Sequence, residues 1–238
     1  MLVQTGDNVG IGGFIITGSA PKQVLLRAIG PSLASSGIPD PLADPVLELH
    51  GPPGFVTIIN DNCRDADPPP PPPFSCPPNS LESSAFATLN PGAYTAIIRG
   101  KNNGTGVGLL EVYDLGPATS KLANISTRAI GGSGANVVIG GFILGGNSGN
   151  ARVVVRGIGP SLAAAGVPNP LADPTLELRN SSGALLASND NCETSPLPPT
   201  NPLEACIDIS LPSGAFTAIL AGKNGGTGVG LVEIYNLE

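Results

Sequence analysis

Apolar residues along this chain come in short runs rich in Val, Ile and Leu, broken every ~8–12 residues by Gly, Pro, Asn or Asp. That rhythm predicts strands at Val9–Thr17, Gln23–Ile29, Val46–His50, Val56–Asn60, Ser84–Leu89, Gly92–Gly100 and Gly106–Leu115, with equivalents later in the chain. The connections leave little room for crossover helices, so the sheets are expected to be antiparallel. Gly12-Gly13 and Gly140-Gly141 read as bulges or corners. Asn90-Pro91-Gly92 and Pro212-Ser213-Gly214 read as tight turns, and Ser32–Gly37 and Ser161–Gly166 as single helical turns.

The pattern occurs twice. Gly6–Gly18 matches Gly134–Gly146, Val24–Leu49 matches Val153–Leu178, and Asn60-Asp61-Asn62-Cys63 matches Asn189-Asp190-Asn191-Cys192. Gly92–Leu115 matches Gly214–Leu237. The loop after the first Cys is longer in repeat one, where it carries the proline run Pro68–Pro73. The fold class expected is all-β: two tandem antiparallel β-sandwich, jelly-roll-like domains of one fold. They are expected at 1–115 and 129–238, with 116–128 as linker and edge strand. In that segment Leu122, Asn124 and Ser126 alternate with Ala123, Ile125 and Thr127, which suits an edge strand opening repeat two. Leu122, Asn124, Ile125 and Thr127 are the candidate assembly strand. Leu2 aligns with Ile130, so repeat one begins just after the place such a strand would occupy. The chain is therefore expected to be an excerpt of a longer array, or to receive the missing strand from another molecule.

Composition narrows the class. With 33 glycines and 26 prolines a helical bundle is excluded, because both residues break helix interiors. A net charge of −7 gives no cationic footprint for nucleic acid or anionic membranes. No stretch is long and apolar enough for a transmembrane helix, and the first residues lack the basic and apolar regions of a signal peptide. The chain thus reads as cytosolic, or as a mature form or piece of something exported.

The words "LANISTRAIGGSGANVVIGGFILGG", "VLLRAIGPSLASSGIPDPLADPVLELH", "SNDNC" and "LNPGAYTAIIRGKNNGTGVGLLEVYDL" resemble a tandem repeat of large exported proteins of environmental bacteria, notably Verrucomicrobia and Acidobacteria. The second half of each unit, from "DPVLEL" through "SNDN" to "PGAYTA", is also similar to the bacterial pre-peptidase C-terminal domain. The resemblance implies export, a β-sandwich and an accessory or surface role, and brings no catalytic residues. The cysteines and the polyproline loop depart from the usual repeat.

Cys63 with Cys76, and Cys192 with Cys206, suit disulfides in an exported, Gly/Pro-rich chain. Each would close a short loop worth about 3 kcal/mol in the chain-entropy model. A four-Cys metal site lacks CxxC spacing and a nearby His. Asn60, Asp61, Asn62 and Asn189, Asp190, Asn191 are oxygen-rich and could join Asp44 or Asp173 in a calcium site. The simpler reading is an Asx turn at a strand end. Arg27, Glu48 and Glu111, and their equivalents Arg156, Glu177 and Glu233, sit inside apolar strands. A catalytic acid pair is conceivable, but structural Arg–carboxylate ion pairs suit so sparsely charged a chain better. The glycines of Gly104–Gly108 and Gly226–Gly230 run into strands, so they read as turns rather than a phosphate loop. His50 is the one His, and its equivalent is Arg179. Pro68–Pro73 is expected as a polyproline II rod standing off the domain, a stiff loop or a docking ridge.

The function expected is a non-enzymatic structural or adhesive protein, extracellular or at the cell surface, a unit of a filament or fibre. Its partners would be copies of itself, head to tail, with no cofactor unless calcium. The alternative is an accessory carbohydrate- or calcium-binding module of a secreted hydrolase. The absence of Trp, and tyrosines confined to strands, disfavour carbohydrate.

Overall fold

The computed structural model describes residues 1–116, 119–132, 134, 137–145 and 149–237. Two positions of the 116–128 segment, and residue 238, lie outside these. The chain divides into two compact units, Met1–Ala123 and Asn124–Glu238. Among the described residues no helix is long and apolar enough to cross a membrane.

Unit one holds β1 (Leu2–Val3), β2 (Gly10–Gly18), β3 (Lys22–Ile29), β4 (Pro45–His50), β5 (Ile58–Asn60), β6 (Ser83–Leu89), β7 (Gly92–Gly100), β8 (Gly106–Val107) and β9 (Leu109–Asp114). One sheet runs β2-β7-β4-β5 and the other β6-β3-β9, all antiparallel. Period-two alternation builds the core. On β7, Tyr94, Ala96 and Ile98 turn inward while their neighbours stay half-buried. Phe14, Ile16, Leu26, Leu47 and Leu49 complete the same apolar interior, each contributing about 1.5–3 kcal/mol by leaving water.

The strand β10 (Ser120–Gly131) contains the boundary between the units. Unit two continues with β11 (Val138–Leu144), β12 (Ala151–Ile158), β13 (Pro174–Asn180), β14 (Leu185–Asn189), β15 (Ala205–Leu211), β16 (Gly214–Gly222) and β17 (Gly228–Asn236). Its sheets are β11-β16-β13-β14 and β15-β12-β17-β10. The fold is therefore all-β in both units, a pair of antiparallel sheets in each. The second sheet of unit two has one strand more than that of unit one.

The expected helical turns are 3₁₀ segments, Pro31–Ser36 and Pro160–Ala165. Each ends on a glycine in the left-handed region, Gly37 at φ 76° and Gly166 at φ 77°, where other residues are strained.

Two expectations are corrected. The paired glycines do not interrupt their strands: Gly12 and Gly13 pair in register with Ala96 and Thr95, and Gly140 and Gly141 with Ala218 and Thr217. Gly140 serves packing instead, since a Cβ there would lie 3.0 Å from the side chains of both Ile234 and Val232. The proline run is not a free rod. The Phe74 N–H donates to the Pro71 carbonyl at 2.9 Å, closing a turn. The Phe74 ring then lies 5.3 Å from that of Tyr113. Covering an aromatic face removes more apolar surface from water than a solvated loop would.

Candidate functional site

One difference between the two units is a sheet edge. In unit two, β17 is an inner strand: β12 pairs with one side and β10 with the other. The β10 register runs from Asn124↔Tyr235 through Ile125↔Ile234 and Thr127↔Val232 to Gly131↔Gly228. In unit one, the equivalent strand β9 ends its sheet and pairs only with β3 among the described residues. Leu2 and Val3 pair with Val107 and Gly106, which matches Ile130 and Gly131 on Val229 and Gly228. Met1 extends this by one residue. Its ammonium donates to the Gly108 carbonyl and the Gly108 N–H to its own carbonyl, each at 2.9 Å. Among the described residues, the outer side of Leu109–Asp114 beyond Gly108 has no ladder partner.

Burial follows the pairing. Val232 and Ile234 are 0% and 5% exposed under β10. Their equivalents Leu110 and Val112 are only half-buried, and Leu109 is 41% exposed. Asn124, itself buried, locks the β10 joint: its side-chain amide donates to the Ile234 carbonyl at 3.1 Å.

The first residues of β10 serve unit one. Ser120 lies against Gly18, where a Cβ would meet the Ser120 Cα at 2.8 Å, and its hydroxyl donates to the Ala20 carbonyl. In unit two the equivalent strand, β11, ends its sheet, with Ile139 and Ile143 47% and 80% exposed. Among the described residues, β9 of unit one and β11 of unit two thus end their sheets, and the two edges are of different kinds. Edges of this sort recruit strands.

The other candidate residues have structural partners. Both disulfides form, Cys63–Cys76 and Cys192–Cys206. They differ because Ser84 occupies the place of Cys206; its hydroxyl donates to the Cys63 sulfur at 2.9 Å. Such bonds point to folding in an oxidising, non-cytoplasmic environment.

Arg27 lies opposite Glu111 across the ladder and pairs with it at 2.6 Å. Its guanidinium also donates to the Tyr113 hydroxyl and lies 4.9 Å from the ring centroid. Arg156 meets Glu233 at 3.2 Å in the same arrangement. That contact lacks hydrogen-bond geometry, which leaves the Arg156 Nε and a Glu233 oxygen otherwise unpaired. Glu48 and Glu177 do not join these pairs. Glu48 binds Arg99 and approaches His50 at 3.3 Å, and Glu177 binds Arg179 at 2.6 Å. They sit on β4 and β13 in the opposite sheets, out of reach of Arg27 and Arg156. Thr57 meets the other ring nitrogen of His50 at 3.3 Å, on an exposed surface.

The Asn-Asp-Asn triplets act as braces. Asn60 accepts from the Ser84 N–H and donates to the Asn62 carbonyl; Asn189 does the same with Cys206 and Asn191, all at 2.9 Å. Asp61 holds the Lys101 ammonium at 2.6 Å, with Asp44 3.9 Å away. Asp190 holds Lys223 at 2.8 Å, with Asp173 at 3.7 Å. The hydrogen bond to Asp61 raises the Lys101 pKa, and that from Lys223 lowers the Asp190 pKa. A built-in ammonium therefore stands where a bound cation would. One carboxylate oxygen each of Asp44, Asp61 and Asp173 is buried without a hydrogen bond. Among the described residues no three His, Cys, Asp or Glu side chains cluster as metal ligands.

Sequence reasoning missed the most buried charged side chain of each unit. Glu82 and Glu204 are both 0% exposed. Glu82 accepts from the N–H groups of Gly30 and Ser32 and from the Ser32 hydroxyl, at 3.1, 2.8 and 2.8 Å. Glu204 repeats this with Gly159 and Ser161, at 3.0, 2.8 and 2.7 Å. Each glutamate clasps the loop that opens a 3₁₀ segment. The signal was present: Leu81-Glu82 and Leu203-Glu204 are the same dipeptide at the same place in the repeat.

A polar depression in unit two, about 800 Å³, is lined by Arg152, Asn189, Asp190, Glu193 and Asp208 among others. Within it Arg152 pairs with Asp208 at 2.7 Å, and Asp190 pairs with Lys223 at 2.8 Å. The same place in unit one is narrowed to about 170 Å³, with Asp65, Asp67 and Pro68 of the longer loop in its wall.

No protein-family model matches the chain, and no curated protein does. Among solved structures it is similar to the crystal structure of the STIV MCP, at 13% identity and a TM-score of 0.24, over 99% of this chain and 93% of that one. A likeness that faint carries no argument about function.

Proposed function

We propose that this chain is a non-enzymatic structural protein of the cell surface or extracellular space, whose units join like units in a row, head to tail. The observation that carries this reading is the shared strand. β10 gives its first residues to unit one and lies along β17 of unit two from Asn124 onward. The same kind of edge stands open on β9. A contact between unlike edges of two molecules is heterologous, and it extends into a fibre unless its rotation closes a ring. The disulfides and the export implied by the resemblance agree with an extracellular setting.

Negative-stain electron microscopy of the purified chain tests this. Rows of units that lengthen with protein concentration are expected. Isolated single chains at every concentration would overturn the reading.

A further inference from the structure

The open edge of unit one is specific enough to name its occupant. We infer that the outer edge of Leu109–Asp114 is an acceptor groove for the inter-repeat strand of a like repeat, a segment of the Lys121–Arg128 pattern, seated antiparallel. The inference rests on the structural reading above and assigns the surface and the partner.

The register is set by the second unit. There Asn124, Ile125, Ser126, Thr127 and Arg128 lie opposite Tyr235, Ile234, Glu233, Val232 and Leu231. The unit-one equivalents are Tyr113, Val112, Glu111, Leu110 and Leu109, in the same sequence and the same sheet position against β3. A strand seated there would put its Ile125 and Thr127 positions beside Val112 and Leu110, the half-buried pair. Its Asn124 position would reach the Val112 carbonyl, as Asn124 reaches that of Ile234. The groove therefore has a defined register and a defined direction.

An arbitrary hydrophobic strand fits less well. The Asn124 contact needs a side-chain amide at one position. The ladder also needs small or β-branched residues at the positions that meet Leu110 and Val112, which lie under the edge rather than on an open face.

The test uses the intact chain and a labelled synthetic peptide of Lys121–Arg128. Fluorescence anisotropy is expected to show saturable binding with one site per chain, since the equivalent edge of unit two is already filled. Peptide variants leave the protein untouched. Ile125→Lys is expected to weaken binding by at least ~tenfold, because it would place a charge against Val112. Asn124→Ala should weaken it by several-fold. Val112→Asp in the protein should abolish it, and circular dichroism checks that this variant folds; if it does not, the peptide variants decide. Hydrogen exchange locates the site, with new protection expected in Leu109–Tyr113.

Absence of saturable binding at millimolar peptide would overturn the inference. So would equal binding of the Ile125→Lys peptide, or protection appearing on Val138–Leu144 instead. The outcome is separable from the proposed function. Peptide capture by a chain that never forms rows would sustain the acceptor groove and remove the fibre reading, and rows without peptide capture would do the reverse.

Discussion

Glu204→Ala should be among the most damaging single substitutions in unit two. The carboxylate is fully buried and accepts two backbone N–H bonds and a hydroxyl bond between 2.7 and 3.0 Å. Truncation leaves the Gly159 and Ser161 N–H groups without acceptors and opens a cavity. A buried donor left unsatisfied costs about 1–3 kcal/mol, and two are left here, in addition to the cavity. The expected loss is therefore about 3–5 kcal/mol. Glu204→Gln should be milder, about 1 kcal/mol. Its amide carbonyl can still accept both N–H groups. Its amide nitrogen would face the Ser161 hydroxyl, which can turn its proton to the Thr200 hydroxyl 2.6 Å away, and would give up the long 3.4 Å bond from the Asn201 N–H. Urea unfolding followed by circular dichroism measures both variants, and hydrogen exchange by mass spectrometry assigns the loss to a unit. An alanine variant that lost less than about 1 kcal/mol would refute the clasp, as would alanine and glutamine losing the same amount.

Other consequences are as direct. Cys192→Ser with Cys206→Ser should destabilise unit two by about 3 kcal/mol in urea, the loop-closure entropy of a short disulfide loop. Millimolar calcium should leave the melting temperature unchanged, because Lys101 and Lys223 already neutralise the Asp61 and Asp190 sites; a clear upward shift would show that the metal displaces the ammonium. The hydrogen bond from Arg152 holds the Asp208 carboxyl below the usual carboxylate range. Its unfolded value is about 3.9, so its contribution is present above that pH and is lost as the pH falls through the lower folded value. Asp208→Asn should flatten the acid side of the stability profile slightly, since the pair is exposed to solvent.

Much of the fold was legible because duplication supplies its own comparison. Equivalent apolar runs located the strands of both units, and the change in loop length located the variable cysteine. The alternation of Leu122–Thr127 marked a strand, though it continues to Gly131, where the residues are shared with the start of repeat one. Partner choice was less legible. Arg27 with Glu111 follows from direct cross-strand opposition, whereas Glu48 takes Arg99, whose equivalent in repeat two is Ala221. Which acid meets which base depends on sheet membership, and period-two patterning does not carry that. Nothing local to Glu82 or Glu204 marks them as buried, because burial of a carboxylate depends on backbone donors brought from about fifty residues earlier in the chain. Lys101 and Lys223 were hidden for a similar reason, since their acids lie in a distant loop.

The open edge of unit one shows as a difference between two equivalent strands, β9 and β17. Residue-resolved hydrogen exchange of the dilute chain compares Leu109–Tyr113 with Leu231–Tyr235. In an antiparallel edge strand every second amide lacks a ladder partner. Those amides of Leu109–Tyr113 are expected to exchange rapidly, while their equivalents under β10 stay protected. Adding a like strand, as peptide or as assembled protein, should then slow the first set to the level of the second. Equal protection of both strands in the dilute chain, or no slowing on strand addition, would contradict the claim that unit one carries an open acceptor edge.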